Sequence, residues 1–249
     1  MMLGTWLNAG AIVMGALLGL STRWEISVGW QQLVKVALGV ATAWFGLMLV
    51  WKGLTWNGAL SGTVKLFFHQ FAVVLVTMVV GSILGKLCGF QRWMNRLGQS
   101  AKERLEKVSR EGRAAAGDGF VAATLLFCAA PLGWTGALED GLMRYFQPLA
   151  IKAVMDGLAA FSFARLFGWT ALLVAVPVTA FLSGVSLLGD RLEPWLVAEG
   201  TLGVVHATLG FIITYVSLVI FEIKKVEMAN YLPCLVVAPL LMKLSRMLF

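Results

Sequence analysis

The chain reads as an all-α polytopic membrane protein of about eight transmembrane helices, and three observations carry that reading. Its residues are 59% apolar and only 13% charged, where a soluble domain averages about 45–50% apolar and about 25% charged. Apolar runs of near-span length recur along the whole chain, separated by short polar or basic segments. Small residues return at every fourth position within those runs, as in Ala11, Gly15 and Gly19 or Gly81, Gly85 and Gly89. That spacing lets two helices approach backbone to backbone.

The elements follow in order. Leu3 to Leu20 is uncharged, with Asn8 as its one strongly polar side chain. No basic region precedes it, so it is expected to be a first span and not a cleaved leader. Val36 to Trp51 is bounded by Lys35 and Lys52, which snorkel toward the two interfaces, and Leu66 to Gly85 is the third span. Together they make a first three-span segment, 1–90. From Lys86 to Arg113 the composition changes, with eight Lys/Arg against Glu103, Glu106 and Glu111. Trp93, Leu97, Ala101, Leu105 and Val108 recur there at helical spacing, so 91–118 is read as a basic amphipathic loop lying on the cytoplasmic surface. Arg92, Arg96, Lys102 and Arg104 are its candidate contacts to anionic lipid.

The net charge of +7 comes mainly from that loop, so it reports topology and not a nucleic-acid footprint. Placing the loop inside gives eight crossings with both ends outside. Arg23, Arg165, Lys224 and Lys225 then fall inside as well, and Lys52, Lys65, Arg144, Arg191, Lys243 and Arg246 fall outside. A last three-span segment, 166–249, holds spans at Leu166 to Gly189, at Gly200 to Phe221 and from near Met228 onward.

Between the two lies a central pair, 119–165, the only region where ionisable groups stand where lipid should be. Its spans are expected at 119–138 and 148–165, with a break over 131–136, because proline removes a backbone donor and the glycines make a helix cheap to unwind. Irregular backbone at membrane depth needs a covering of protein or a water-filled cavity. Glu139 and Asp140 would border that cavity. Lys152 and Asp156 are four residues apart on one helical face and can pair. Charges inside a span are costly, so by default they mark a functional site. Asp156, Lys152, Asp140, Glu139, Asn8, Asn230 and Thr135 are the candidate substrate or ion ligands. The plainer readings stand beside this one: an ion pair that only neutralises itself, a solvated acidic loop, and asparagines that glue helices together.

Other chemistry finds little support. Cys88, Cys128 and Cys234 are far apart and set among apolar residues, which argues against a disulfide framework. His69 and His206 have no second ligand at metal-binding spacing, so no metal and no cofactor is expected. No nucleophile stands in the setting of an enzyme; Ser183-Gly184 lacks the rest of a nucleophile elbow.

An internal repeat organises the ends. Leu38-Gly39-Val40 with Ala43 and Gly46, and Leu202-Gly203-Val204 with Ala207 and Gly210, both read L-G-V-x-x-A-x-x-G. Each follows a span ending in Leu-Leu-Gly and then an Arg-x-Glu: Gly19 with Arg23 and Glu25, Gly189 with Arg191 and Glu193. With eight crossings the second copy enters from the opposite side, giving an inverted repeat of three-span units around a central broken helix pair; a re-entrant 119–138 would make the copies parallel instead. Many secondary transporters place a midplane site on that plan.

The central residues also carry a resemblance. Leu126-Phe127-Cys128-Ala129, Gly133, Gly136-Ala137-Leu138-Glu139-Asp140-Gly141, Lys152 and Asp156 resemble the core motif of a bacterial membrane-protein family, domain of unknown function 554. The opening Gly4-Thr5-Trp6-Leu7-Asn8 with Gly15 and Gly19 is similar to the family's start. Asn230-Tyr231-Leu232-Pro233 with Ala238-Pro239-Leu240 is similar to its end. The family's single acid falls on Asp140, so Glu139 is an extra carboxylate, and Pro131-Leu132 replaces the small polar residues usual there. The resemblance implies a multi-pass protein of the bacterial inner membrane, sometimes labelled a transporter, and supplies no substrate.

The expected function is a secondary transporter or channel-like protein for a small solute or ion, alternating access around the Lys152/Asp156 pair. The alternative is a structural or regulatory membrane protein that binds anionic lipid or a cytoplasmic partner through its basic loop. Membrane lipids are the expected partners. Homodimerisation through the glycine stripes is considered as well.

Overall fold

The computed structural model describes residues 2–22, 27–55, 64–111, 115–224 and 226–248. Arg23, Glu25 and Lys225, which enter the repeat and the topology, lie outside them. The described residues contain helices and no strand. In order they are α1 (Leu3–Ser21), α2 (Val28–Thr55), α3 (Val64–Cys88), α4 (Phe90–Glu111), α5 (Ala116–Ala129) and α6 (Pro131–Met143). Then come α7 (Gln147–Phe167), α8 (Thr170–Leu173), α9 (Ala175–Ala198), α10 (Leu202–Ile220), a 3-10 turn (Met228–Tyr231) and α11 (Cys234–Leu248).

Six stretches are long and apolar enough to cross a membrane, and the pair α5–α6, bent by 57°, makes a seventh if it is one span. The eighth expected crossing corresponds to α7. At 21 residues it has the length, but Lys152, Asp156 and Arg165 set its composition apart.

The break expected over 131–136 is corrected by the structure to a single residue. Ala130, at φ −60° and ψ 126°, ends α5, and Pro131 is already the first residue of α6. A proline there gives up only a backbone N–H that has no helical partner anyway, and its fixed φ suits the first turn. Thr135 and Gly136 therefore continue a helix. The Thr135 hydroxyl donates to the Pro131 carbonyl oxygen at 2.8 Å.

The spans are patterned inside out compared with a soluble helix. On α1 the buried residues include Gly4, Thr5, Asn8, Gly15 and Gly19, while Trp6, Met14 and Leu18 are exposed. Lipid tails are as apolar as leucine, so large apolar side chains gain little by facing a neighbouring helix. Small residues gain close packing there.

The chain divides into two compact units, Met1–Leu33 with Trp93–Gly189, and Val34–Arg92 with Asp190–Phe249. They cut across the sequence segments, with divisions inside α2, α4 and α9. In the first unit α1 packs along α7, around a core that includes Ile12, Ala16, Phe127, Leu149, Phe167 and Leu182. A Cβ at Gly15 would collide with the Gly157 carbonyl oxygen, and one at Gly19 with that of Phe161. Gly189, the other Leu-Leu-Gly glycine, lies against α6, where a Cβ would stand 2.7 Å from the Leu138 carbonyl oxygen. The amphipathic helix α4 buries Ala101 and Val108. Arg104 and Lys107 bind Asp118 at 2.6 and 2.9 Å and tie α4 to the first turn of α5.

In the second unit α2 and α10 touch through the two repeat segments, and the contact is reciprocal. A Cβ on Gly46 would lie 2.9 Å from the Gly210 carbonyl oxygen, and one on Gly210 would lie 2.7 Å from that of Gly46. Gly46 also faces Thr214, and Gly210 faces Val50, positions that the same alignment equates. Further along the chain, Gly81 meets Cys234, and Gly85 meets the backbone of Asn230. Both glycine stripes thus make close contacts within the chain.

Candidate functional site

The first unit holds every lysine and carboxylate that is buried among the described residues: Glu139, Asp140, Lys152 and Asp156, none more than 5% exposed. The helix α6, from Leu132 to Leu142, is buried on all sides, and it carries Glu139 and Asp140. The helix α7 carries Lys152 and Asp156 one turn apart. Their side chains form a buried ion pair.

Asp156 Oδ2 has a second donor. Asn8 of α1 gives it an Nδ2 hydrogen bond at 2.9 Å, from 148 residues away in the chain. The contact follows from the packing of α1 along α7. The Lys152 stem lies over Gly133 of α6, where a Cβ would be 2.7 Å from Cε. Its ammonium stands 5.6 Å from the centre of the Phe127 ring. A glycine thus makes room for the stem, and an aromatic face adds electrostatic attraction to a charge already paired.

Asp140 has a different task. Its Oδ2 accepts the backbone N–H of Gly4 at 3.0 Å. The first turn of α1 has no cap from its own N-cap side chain. Asp140 supplies one from 136 residues away, meeting an orphan N–H and the positive end of the helix dipole with a carboxylate.

Three buried acceptors on or beside α1 remain. Asp140 Oδ1, Asn8 Oδ1 and Thr5 Oγ1 take no hydrogen bond from any protein group, and each of their residues is at most 2% exposed. Thr5 and Asn8 sit three residues apart on the buried face of α1.

Of the candidate ligands that the sequence singles out, the structure therefore joins Asn8, Lys152 and Asp156, and it sets Asp140 at the start of the same helix α1. Thr135 spends its hydroxyl proton on its own helix. Asn230 lies in the second unit, where its Oδ1 accepts from Gln91 N at 3.3 Å and its Nδ2 donates to Glu227 Oε2 at 2.7 Å. Among the lipid candidates, Arg92, Arg96 and Lys102 are exposed on α4, and Arg104 is engaged with Asp118. Sequence reasoning missed Phe127 and Gly133 as neighbours of Lys152. The Gly133 spacing within the core motif was the available signal.

Comparison with known proteins agrees with this architecture. The family described as "Protein of unknown function (DUF554)" matches residues 3–243, and the chain belongs to it. It is similar to the uncharacterized membrane protein YdfK of Bacillus subtilis (strain 168), 23% identical over 96% of this chain and 94% of that protein. It is also similar to the uncharacterized protein YqgA of Escherichia coli (strain K12), 24% identical over 96% of this chain and 95% of that one. No solved structure matches it.

Proposed function

We propose that this member of the family is a multi-pass carrier of the bacterial inner membrane that moves a small solute or ion by alternating access around Lys152 and Asp156. The observation that carries the proposal is the buried triad Asn8–Asp156–Lys152, held between α1 and α7. An ion pair that only neutralised itself would need no asparagine from another helix and no further buried carboxylate. Here Glu139 and Asp140 are buried as well as Asp156, and Lys152 is the one buried lysine among the described residues.

That imbalance favours a proton or a small cation as the coupling species, because burying charge without a partner is expensive. The unpaired oxygens of Asp140, Asn8 and Thr5 supply ligands of the kind a hard cation takes. The structure then corresponds to a closed state in which Lys152 neutralises Asp156. Entry of the coupling ion competes with Lys152 for the carboxylate, and the helices part on one side or the other. No covalent step is involved.

The duplicated architecture belongs to the same proposal. The reciprocal Gly46–Gly210 contact is what a two-fold relation between the two repeat segments would produce, and an inverted pair supplies two exchangeable openings.

The test is solute and cation flux in proteoliposomes, with a pH-sensitive and a sodium-sensitive dye enclosed. Wild type should discharge an imposed gradient, and Asp156→Asn should fall to the empty-liposome rate while remaining folded. Flux unchanged in Asp156→Asn, or absent from wild type across a broad solute panel, would refute the carrier. A phenotype that instead depends on exposed Arg92, Arg96 and Lys102 and survives Asp156→Asn would favour the lipid- or partner-binding alternative, for which their exposure on the amphipathic α4 is the supporting observation.

A further inference from the structure

The second unit contains a cavity of about 420 Å³ that the carrier reading does not use. The last turns of α3 contribute Ser82 and Lys86, α10 contributes Tyr215 and Leu218, and the connection after α10 contributes Lys224 and Val226. Glu227, Asn230 and Tyr231 close it from the side of the 3-10 turn.

The walls are built. Gly85 brings α3 into backbone contact with Asn230. The turn is pinned by Ala229 N donating to Gln91 Oε1 at 3.1 Å, and by the two Asn230 side-chain bonds to Gln91 and Glu227. Tyr215 and Tyr231 meet edge to face at 5.4 Å.

The chemistry of the lining is uneven. Lys86 and Lys224 have no carboxylate partner among the described residues, and neither phenol has a hydrogen-bond partner there. Ser82 spends its proton on the Val79 carbonyl oxygen. Glu227 accepts from Asn230. Among the described residues of the lining, two lysines stand against one glutamate, one net positive charge. The C-terminal ends of α3 and α10 stand at this level and add partial negative charge. A dianion is therefore disfavoured, and a monoanion with several acceptor oxygens fits. Leu218 and Val226 supply an apolar margin beside the cationic groups. Lys86 lies two residues before the end of α3 and Lys224 four residues after the end of α10, at the depth where a span gives way to headgroups.

We infer that this cavity is a binding site for a singly charged phosphodiester, with Lys86 and Lys224 as its cationic groups and the two tyrosines as donors. Its source is either the headgroup of an anionic diacyl phospholipid or a free phosphodiester of the same chemistry. The inference stands apart from the carrier proposal, because it uses other residues in the other unit.

The experiment is native mass spectrometry of the full-length protein from detergent, titrated with phosphatidylglycerol, with zwitterionic phosphatidylcholine and with glycerophosphoglycerol, the same headgroup without acyl chains. Phosphatidylglycerol should bind in preference to phosphatidylcholine, and the pair Lys86→Gln/Lys224→Gln should weaken it by about tenfold or more. Lys86→Arg/Lys224→Arg should retain most of the binding, which separates charge from folding. Binding of glycerophosphoglycerol at equal strength, sensitive to the same variants, identifies the free diester as the source. Phosphatidylglycerol binding that is unchanged in the glutamine pair, or lost equally in Lys65→Gln at the opposite end of α3, overturns the site. Equal binding of phosphatidylcholine also overturns it.

Discussion

The contact of α1 with α7 and that of α2 with α10 solve the same packing problem with different residues. Both bring helix backbones together over glycines: Gly15, Gly19 and Gly157 in the first, Gly46, Gly53 and Gly210 in the second. Only the first has a buried lysine or carboxylate in it. The α2–α10 contact reaches the same intimacy with no lysine or carboxylate buried among the described residues of its unit. Close packing in this protein therefore does not require charge. Asn8, Asp156 and Lys152 are surplus to what holds α1 on α7, and that surplus supports a functional reading of them.

The comparison can be broken most forcefully at the ion pair. Lys152→Met leaves Asp156 buried with Asn8 as its remaining partner, and it should cost about 3–5 kcal/mol in reversible unfolding from detergent or bicelles. Lys152→Met with Asp156→Leu should recover most of that loss, because an apolar pair of similar volume is often as stable as a buried salt bridge. Transport should remain lost. If the double variant stays as unstable as the single one, the charges are structural and the contrast between the two contacts fails.

Glycine substitutions sharpen the same contrast. Gly15→Ala and Gly46→Ala should each cost about 1–3 kcal/mol, since the added Cβ meets backbone or a packed side chain across the helix pair. Gly10→Ala, on the same helix as Gly15 with nothing within 4 Å of the new Cβ, should instead gain up to about 1 kcal/mol from helix propensity. A loss at Gly10 as large as at Gly15 would mean that the effect is not close approach.

Asp140 separates a cap from a ligand. As the cap of α1, Asp140→Ala should cost about 0.5–2 kcal/mol, and Asp140→Asn should keep most of the stability. Flux measured on the stable asparagine variant then reads any role of the carboxylate charge alone.

The smallest effect belongs to the second unit, at its exposed pair Lys35–Glu222. The Lys35 hydrogen bond and charge hold the Glu222 carboxyl below its ordinary value. A depressed carboxylate contributes stability that is complete above the unfolded pKa of about 4.3 and is lost as the pH falls through the folded value. The difference in melting temperature between wild type and Lys35→Ala should be small at neutral pH and should close below about pH 4. A difference that persists in acid would assign the effect to packing of the lysine stem.

Much of the site was legible before the fold. Lys152 and Asp156 pair because four residues make one helical turn, which is a local rule. The proline misled, because the same residue ends one helix and begins the next, and only the position of Ala130 distinguishes the cases. By sequence alone Glu139 and Asp140 border an irregular stretch. Their burial inside a helix depends on neighbours that no local pattern names.

By itself, the amino-acid sequence determined the membrane class, the positions of most spans, the central ionisable stretch and the glycine spacings, since each is a periodicity or a composition within one segment. Tertiary structure alone decided that Asn8 reaches Asp156, that Asp140 caps α1 from 136 residues away, and that Gly46 meets Gly210. The reason is the solvent. Against lipid, apolarity does not tell one helix which other to join, so partners are chosen by the fit of small residues and by a few polar contacts that exist only once the helices have met.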